Sequence, residues 1–306
     1  MDLDLKSRIY QAQSIGNIEP IEHMVPYPNL RSLIDGQNIK YGAKMVYADH
    51  DISSSEIYTL AQQTANWLAS IGVNPNDRVL IKEMLFPRCE ILAYGIWTLG
   101  ASLVITGDND LESASKKTNA KIVIIDENFI NEIKNFSKIF EPTFKPLLEH
   151  EAMVFVQNNE GYRYSNYNLL VNTNGLQQGV DLYDDKTFFI DLRANSMQWL
   201  ILQVILPLYS GSSITRKNPD ILFNDDNGDF IICSKWNKIK ETKPPTLFIC
   251  YENTGFISIN NTPIHLTEVD KLNKPLSLSG HSVMMGYLDN KKNEKSFKDG
   301  SISIEK

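Results

Sequence analysis

Between residues 43 and 126 short apolar runs alternate with longer segments of helical spacing, and this alternation restricts the fold more than any other feature of the chain. AKMVYAD (43–49) reads as a strand. DISSSEIYTLAQQTANWLASIG (51–72) follows as a helix, with hydroxyl caps ahead of Glu56, Ile57, Leu60, Ala61, Thr64, Leu68 and Ile71 at helical spacing, and Gly72 ending it. NPND (74–77) is a turn and RVLIKEM (78–84) a strand. PRCEILAYGIWTLGA (87–101) is a helix opened by proline, and SLVIT (102–106) is a strand. A further helical stretch leads to AKIVIID (120–126), another buried strand. Strands alternating with helices of this length mean an α/β fold with a mostly parallel sheet.

The flanking segments are less regular. Residues 1–28 read as an arm with one short helix, ended by Pro26-Tyr27-Pro28. The stretch EAMVFVQNNEGYRYSNYNLL (151–170) reads as an apolar strand, a polar loop and a helix start. TFFIDLR (187–193), an apolar helix at 197–209 and SSITRK (212–217) come next, then a polar, proline-containing region at 218–247 with NDDNGD (224–229) as a turn. TLFICY (246–251) is a strand, a hairpin-like stretch follows, and 276–306 reads as strand, loop, polar turn and a last short strand.

Composition removes several function classes. A chain of 306 residues, 42% apolar and 22% charged, is ordinary for a globular protein of one large domain or two. The net charge of −7 without a dense Lys/Arg block argues against nucleic-acid and anionic membrane surfaces as partners. WLILQVILPLY (199–209) is too short to span a bilayer, and MDLDLKSRIY lacks the basic start of a signal peptide, so a cytoplasmic location is expected. The three cysteines, Cys89, Cys233 and Cys250, show no disulfide or zinc spacing.

Most local motifs carry no chemistry. His23, His50, His150, His265 and His281 lack the i,i+3 or i,i+4 partners of a metal site on one element. Ser210-Gly211 lacks the preceding glycine of a nucleophile elbow. Asp225, Asn227 and Asp229 alternate like part of a calcium loop, but the glycine at 228 is misplaced and no bidentate Glu follows, which leaves a solvated turn. Asp184-Asp185 read as the end of one element and the start of the next, and in a strand they would face opposite ways, which suits acid–base work poorly. No catalytic residue and no metal ligand is assigned. The loop at 157–161 remains: the backbone amides of Asn158, Asn159 and Gly161 could hold an anion, or the segment is a plain strand-to-helix turn.

Taken together, NLRSLI, AKMVYADHDISSSEIYTLAQQTANWLASIGVNPNDRVLI, PRCEILAYGIWTLGASLVIT and AKIVIID resemble, in order and spacing, the N-terminal domain of the adenylate-forming superfamily: acyl- and aryl-CoA synthetases, peptide-synthetase adenylation domains and luciferases. SGHSVMMGYLDNKKNEKSFKDG is similar to that family's stretch around G-x-x-V-M-x-G-Y, with Gly280, Gly286, Tyr287, Phe297, Asp299 and Gly300 in place. The resemblance implies layered, mostly parallel sheets (an αβαβα arrangement) over residues 29–272, shortened in the middle, with 273–306 as a remnant of the β subdomain and the C-terminal hinge domain absent. By the same resemblance helix 197–209 would form one wall of a substrate cleft; its apolar pattern alone reads as a buried core helix.

The motifs that run the family's chemistry depart from the pattern. Where a Ser/Thr/Gly-rich loop ending in lysine should wrap the ATP phosphates, VQNNEG (156–161) keeps only Gly161, and YSNYNLL (164–170) resembles the segment that follows. YENTG (251–255) resembles the aromatic–Gly-x-Thr-Glu motif, keeping Tyr251 and Thr254 but putting Gly255 where the metal-binding Glu belongs. The ribose-binding Asp position, counted from Asp299-Gly300, falls within Ile304, Glu305 and Lys306, which hold no aspartate. Adenylation needs cations and amide donors to offset developing charge, and losing one such group costs about 10²–10³ in rate. The expectation is therefore a degenerate member of this fold that binds or assembles, with an acyl or aryl group or a carrier protein as partner. Asn158, Asn159, Gly161, Tyr251 and Thr254 would then be vestigial nucleotide positions with no cofactor. The alternative is one half of a split ligase, using ATP and magnesium, completed by another chain.

Overall fold

The computed structural model describes residues 3–21, 23, 25–224, 228–233, 242–270 and 275–304. The calcium-like Asp225 and Asn227 lie outside the described residues. Among the described residues the strands form three sheets. The six-stranded sheet runs, edge to edge, Gly286–Tyr287, Glu160–Ser165, Glu151–Gln157, Ser102–Thr106, Arg78–Ile81 and Ile122–Ile124. Its four central and outer strands from Glu151–Gln157 to Ile122–Ile124 are parallel, as the strand–helix alternation predicts. A nine-stranded mixed sheet combines Met45–Tyr47 and Ile52–Ser53 with strands from residue 187 to 263. A small antiparallel sheet joins Thr267–Asp270, Leu276–Gly280, Ser301–Ile304 and Phe297–Lys298.

Period-two alternation explains how the six-stranded sheet is covered on both faces. Val79, Ile81, Leu103, Ile105, Met153 and Phe155 enter the main core. Their neighbours Leu80, Val104, Val154 and Val156 form a second cluster with Ala114 of helix Leu111–Thr118. Helices Arg88–Leu99 and Asn166–Val180 pack on the six-stranded sheet, the latter also against the large sheet, and Arg88–Leu99 buries every residue from Cys89 to Leu99. Helix Ser54–Ser70 starts where its hydroxyls predict: Ser53 and Glu56 form a reciprocal capping box. It stops before Gly72, whose φ of 86° is left-handed. No helix among the described residues is long and apolar enough to cross a membrane.

Several segments differ from the sequence reading. The N-terminal arm is a packed part of the molecule: helix Leu3–Ala12 buries Leu5, Ile9 and Ala12, and Arg8 Nη1 donates to the Phe297 carbonyl at 3.0 Å. The polar turn expected after Tyr287 is helix Asn290–Ser296, because Asp289 caps it by accepting from Lys291 N. Asp184-Asp185 fall where the sequence reading puts them, at the junction between helix Asn166–Val180 and strand Thr187–Phe189, and Asp184 accepts from the Tyr41 hydroxyl.

The segment expected as one helix at 197–209 changes pitch within itself. Met197–Trp199 is α-helical, Leu200–Ile205 is π-helical, and Leu206–Ser210 is α-helical again. Pro207 has no N–H, so the Gln203 carbonyl loses its usual intrahelical donor. Tyr47 Oη donates to that carbonyl at 3.0 Å and Tyr94 Oη to the Val204 carbonyl at 2.8 Å. The Glu90 carboxyl accepts from Trp199 Nε1 at 2.7 Å and Gln203 Nε2 at 2.8 Å. Complete burial pushes Glu90 up from the usual carboxylate range. This segment is buried except for partial exposure at Gln198.

Candidate functional site

The stretch 151–170 is not strand, loop, helix. It is a β-hairpin, Glu151–Gln157 paired with Glu160–Ser165, and only then helix Asn166–Val180. Asn158 and Asn159 form the two-residue turn, with φ of 52° and 59°. Two consecutive positive-φ residues match the twist of a tight hairpin, and asparagine tolerates that backbone better than most side chains. Paired Asn residues were the sequence signal for this turn. The alternation of Tyr162 and Tyr164 with polar neighbours was the signal for the return strand. The helix therefore begins far from the turn, and its first amides are already used. Asn168 N donates to its cap Ser165 Oγ, while Asn166 N and Tyr167 N donate to the His150 and Leu148 carbonyls.

The turn amides do hold an anion, and it belongs to the chain. Asn158 N donates to Asp108 Oδ1 at 2.8 Å, and Asn159 N donates to Asp108 Oδ2 at 2.9 Å. Gln157 Nε2 reaches Asp108 Oδ1 at 3.3 Å. Asp108 follows strand Ser102–Thr106, whose parallel partner is the first hairpin strand, so the sheet register delivers the carboxylate to the turn. Gly161 takes no part in this cradle. It sits in the return strand opposite Val156, its carbonyl accepts from Leu288 N at 2.8 Å, and an added Cβ would lie 2.3 Å from Leu288 Cδ1.

Tyr251 and Thr254 are on the neighbouring turn, after strand Thr246–Cys250 of the large sheet. The Tyr251 ring packs edge-on to Phe155 and Tyr162, at centroid distances of 5.0 and 5.5 Å. Tyr162 in turn lies 5.3 Å from Tyr287. Tyr164 Oη donates to the Tyr251 carbonyl at 3.0 Å, tying the hairpin to this turn. Thr254, fully buried and in a left-handed backbone (φ 61°), spends its hydroxyl on the Ser282 carbonyl at 2.5 Å. The structure thus places Tyr251 in a wall of rings with Phe155, Tyr162 and Tyr287. It turns Gly161 to the opposite face of the six-stranded sheet against Leu288, buries Thr254 against Ser282, and sets Asn158 and Asn159 at the tip of the hairpin.

The charges around this wall are paired among themselves. Glu252, between Tyr251 and Asn253, is buried and accepts from Tyr287 Oη at 2.8 Å. Burial pushes its carboxyl above the usual range despite that bond. Glu160, just ahead of Gly161, pairs with Lys292 and accepts from Tyr162 Oη at 3.1 Å. At the hairpin base Glu151 is gripped by Arg78 Nε at 2.7 Å and Arg163 Nε at 2.6 Å. Burial works to raise Glu151, but both guanidiniums outweigh it and hold the carboxyl below its ordinary range. Asp108, Glu160, Tyr162 and Glu252 carry this arrangement, and sequence reasoning did not single them out.

Distance in sequence also hid a histidine group. His23, His265 and His281 come together, with ring centroids 5.4 Å apart for His23 and His265 and 6.4 Å for His23 and His281. His281 Nδ1 shares a 2.7 Å hydrogen bond with Tyr167 Oη. Burial and the neighbouring His265 lower the His23 pKa. No group of three His, Cys, Asp or Glu side chains among the described residues has metal-binding geometry.

No protein-family model and no curated protein matches the sequence. Solved structures do match. The N-terminal domain of FACL13 from Mycobacterium tuberculosis superimposes with a TM-score of 0.77 over 90% of this chain and 95% of that one, at 10% identity. The o-succinylbenzoate CoA synthetase MenE from Bacillus subtilis, in complex with its acyl-adenylate intermediate, matches at 0.74 over 89% and 94%, at 11% identity. An artificially fused adenylation–carrier-protein di-domain from Klebsiella oxytoca matches at 0.74 over 89% and 68%, at 13% identity. The fold of this chain is that of the N-terminal domain of the adenylate-forming superfamily.

Proposed function

We propose that this chain uses the adenylate-forming fold for binding and assembly, and does not itself adenylate a carboxylic acid. The observation that carries this reading is the Asp108 carboxylate seated on the Asn158 and Asn159 amides, where an anionic ligand would have to bind. A triphosphate brought there meets a negative charge already in place, and Lys292, the cation beside Gly161, is already paired with Glu160. Three further features support it. The Thr254 hydroxyl is committed to Ser282, the Tyr251 ring is packed among Phe155 and Tyr162, and Gly255 occupies the position that would need a metal-binding carboxylate. Glu252, the carboxyl nearest that position, is buried and bound to Tyr287. These residues do not fit ATP and magnesium.

The partner class follows from the fold's company. Among its structural neighbours is a fusion of an adenylation domain with a carrier domain, which makes a carrier protein, or the acyl or aryl group it bears, the partner we assign. A cleft of about 1090 Å³ against helix Asn166–Val180, with Gly179, Pro244 and Ile264 beside the polar Gln178, Lys243 and His265 in its lining, gives such a group a place to rest. The test is pyrophosphate release from ATP and magnesium with a panel of aliphatic and aromatic acids, with and without a carrier protein, alongside a carrier-binding measurement. Carrier binding without pyrophosphate release is the expected result. Turnover by the chain alone would overturn the reading, and so would failure to bind any carrier or acyl compound.

A further inference from the structure

Three histidines far apart in sequence meet where the N-terminal arm crosses the rest of the molecule. After helix Leu3–Ala12 the chain runs as a strap over residues 13–21 and on to His23. Gln13 Nε2 ties its start, donating to the Val283 and Met284 carbonyls at 3.0 and 3.2 Å. Further along, His281 Nε2 reaches the Ile18 carbonyl at 3.4 Å, and the His23 ring lies 5.4 Å from His265 and 6.4 Å from His281. Gln13, Pro20 and Ile21 of the strap line a pocket of about 290 Å³ together with Ser165, Tyr167 and Asn168 of the body. The strap is strained where it closes this pocket. Ile21 has a φ of 76°, a left-handed backbone that a β-branched side chain avoids.

The tie at His281 requires a neutral ring. His281 is fully buried; its Nδ1 shares a 2.7 Å hydrogen bond with Tyr167 Oη, and its Nε2 faces the Ile18 carbonyl, which can only accept. The neutral ring therefore carries its proton on Nε2 and accepts from Tyr167 at Nδ1. A second proton on Nδ1 takes that acceptor away from the Tyr167 hydroxyl and sets a charge in a buried place 6.4 Å from His23. Burial and the neighbouring His265 both hold the His23 pKa below its ordinary value. The acids on the adjoining segments are Glu19, which accepts from Tyr10 Oη at 2.5 Å, Glu149 in the pocket lining, and Glu268, which accepts from Ser279 Oγ at 3.5 Å. None of them acts on His23, and the other charges lining the pocket, Lys6 and Arg163, are cations.

We propose that His23, His265 and His281 form a pH-operated catch: neutral, they hold the strap across the pocket, and charged, they repel one another and release it. Because the closed form keeps its rings neutral, closure is complete above the ordinary histidine value of about 6.5 and is lost as pH falls below it. Each ring that closure keeps neutral raises the open population about tenfold between pH 7.5 and 5.5. Release bares Tyr167 and the pocket in mild acid.

Hydrogen exchange on the full chain, corrected for intrinsic rates at each pH, tests this. Ile15 and Ile18, whose amides bond each other's carbonyls, should lose about ten- to a hundredfold of their protection between pH 7.5 and 5.5, while helix Asn166–Val180 keeps its own. His23→Ala, on a partly exposed side chain, should stay closed at pH 7.5 and lose only about tenfold in acid. His23→Ala combined with His281→Gln should show no acid response in the strap. Protection that falls equally in strap and helix, or in neither, overturns the inference. A double variant that still opens with acid also overturns it.

Discussion

At the residue scale, the site turns on one carboxylate and two amides. Asp108 accepts from Asn158 N and Asn159 N without competition from any cation within the turn. Hydrogen bonds to a charged acceptor contribute about 1.5–3 kcal/mol when buried, and partial exposure puts this pair at the lower end. Asp108→Ala should therefore lower stability by about 1–2 kcal/mol in urea unfolding, with the slope unchanged. Glu252 has the opposite sign. Its pKa is raised by folding, so its contribution is complete below the ordinary value of 4.5 and is lost as pH rises toward the folded value. Glu252→Gln keeps an acceptor for Tyr287 Oη and should stabilise the protein at neutral pH while flattening the pH dependence above about 4.5. Thermal melts of both proteins from pH 4 to 8 check this, and parallel curves would contradict it. None of these roles could be read in the sequence, because Asp108 meets its partners across 50 residues through sheet register.

At the element scale, local signals worked where local physics decides the structure. Ser53 and Glu56 cap their helix, and SLVIT is the strand Ser102–Thr106. They failed where a side chain from elsewhere settles the backbone. The Leu200–Ile205 π turn depends on Tyr47 and Tyr94, which donate to the Gln203 and Val204 carbonyls. Proline within the apolar run hinted at a missing hydrogen bond, but not at what would replace it. Tyr47→Phe leaves the buried Gln203 carbonyl without its donor and should cost about 1–3 kcal/mol. Chemical denaturation reads this directly, and a cost below measurement error would show that the carbonyl is satisfied otherwise. The hairpin was missed for a related reason. Two asparagines in sequence suit a tight turn as well as a loop, and only the pairing of Tyr162 with Phe155 decides between them.

At the scale of the whole molecule, the sequence carried the layered fold because its strand–helix alternation is encoded locally, in segments such as RVLI and PRCEILAYGIWTLGA. The candidate site was legible only as a set of departures from a motif. Only Tyr251 lies in the aromatic wall, with Gly161 turned to the other face of the sheet and Thr254 buried against Ser282, and what fills the wall comes from distant elements: Tyr162 and Tyr287 as rings, Lys292 as the partner of Glu160. A nucleotide site needs open amides, an accessible ring and unneutralised cations together. Here each of these groups already has a partner within the chain.

The most direct measurement is a thermal-shift titration of the purified chain with ATP, AMP and magnesium. A ligand at a hundred times its dissociation constant stabilises the folded state by about 2.7 kcal/mol, which a melt resolves easily. The Asp108 cradle and the aromatic wall predict no shift with any of the three, alone or combined. A saturable rise in melting temperature with ATP or AMP would contradict the account.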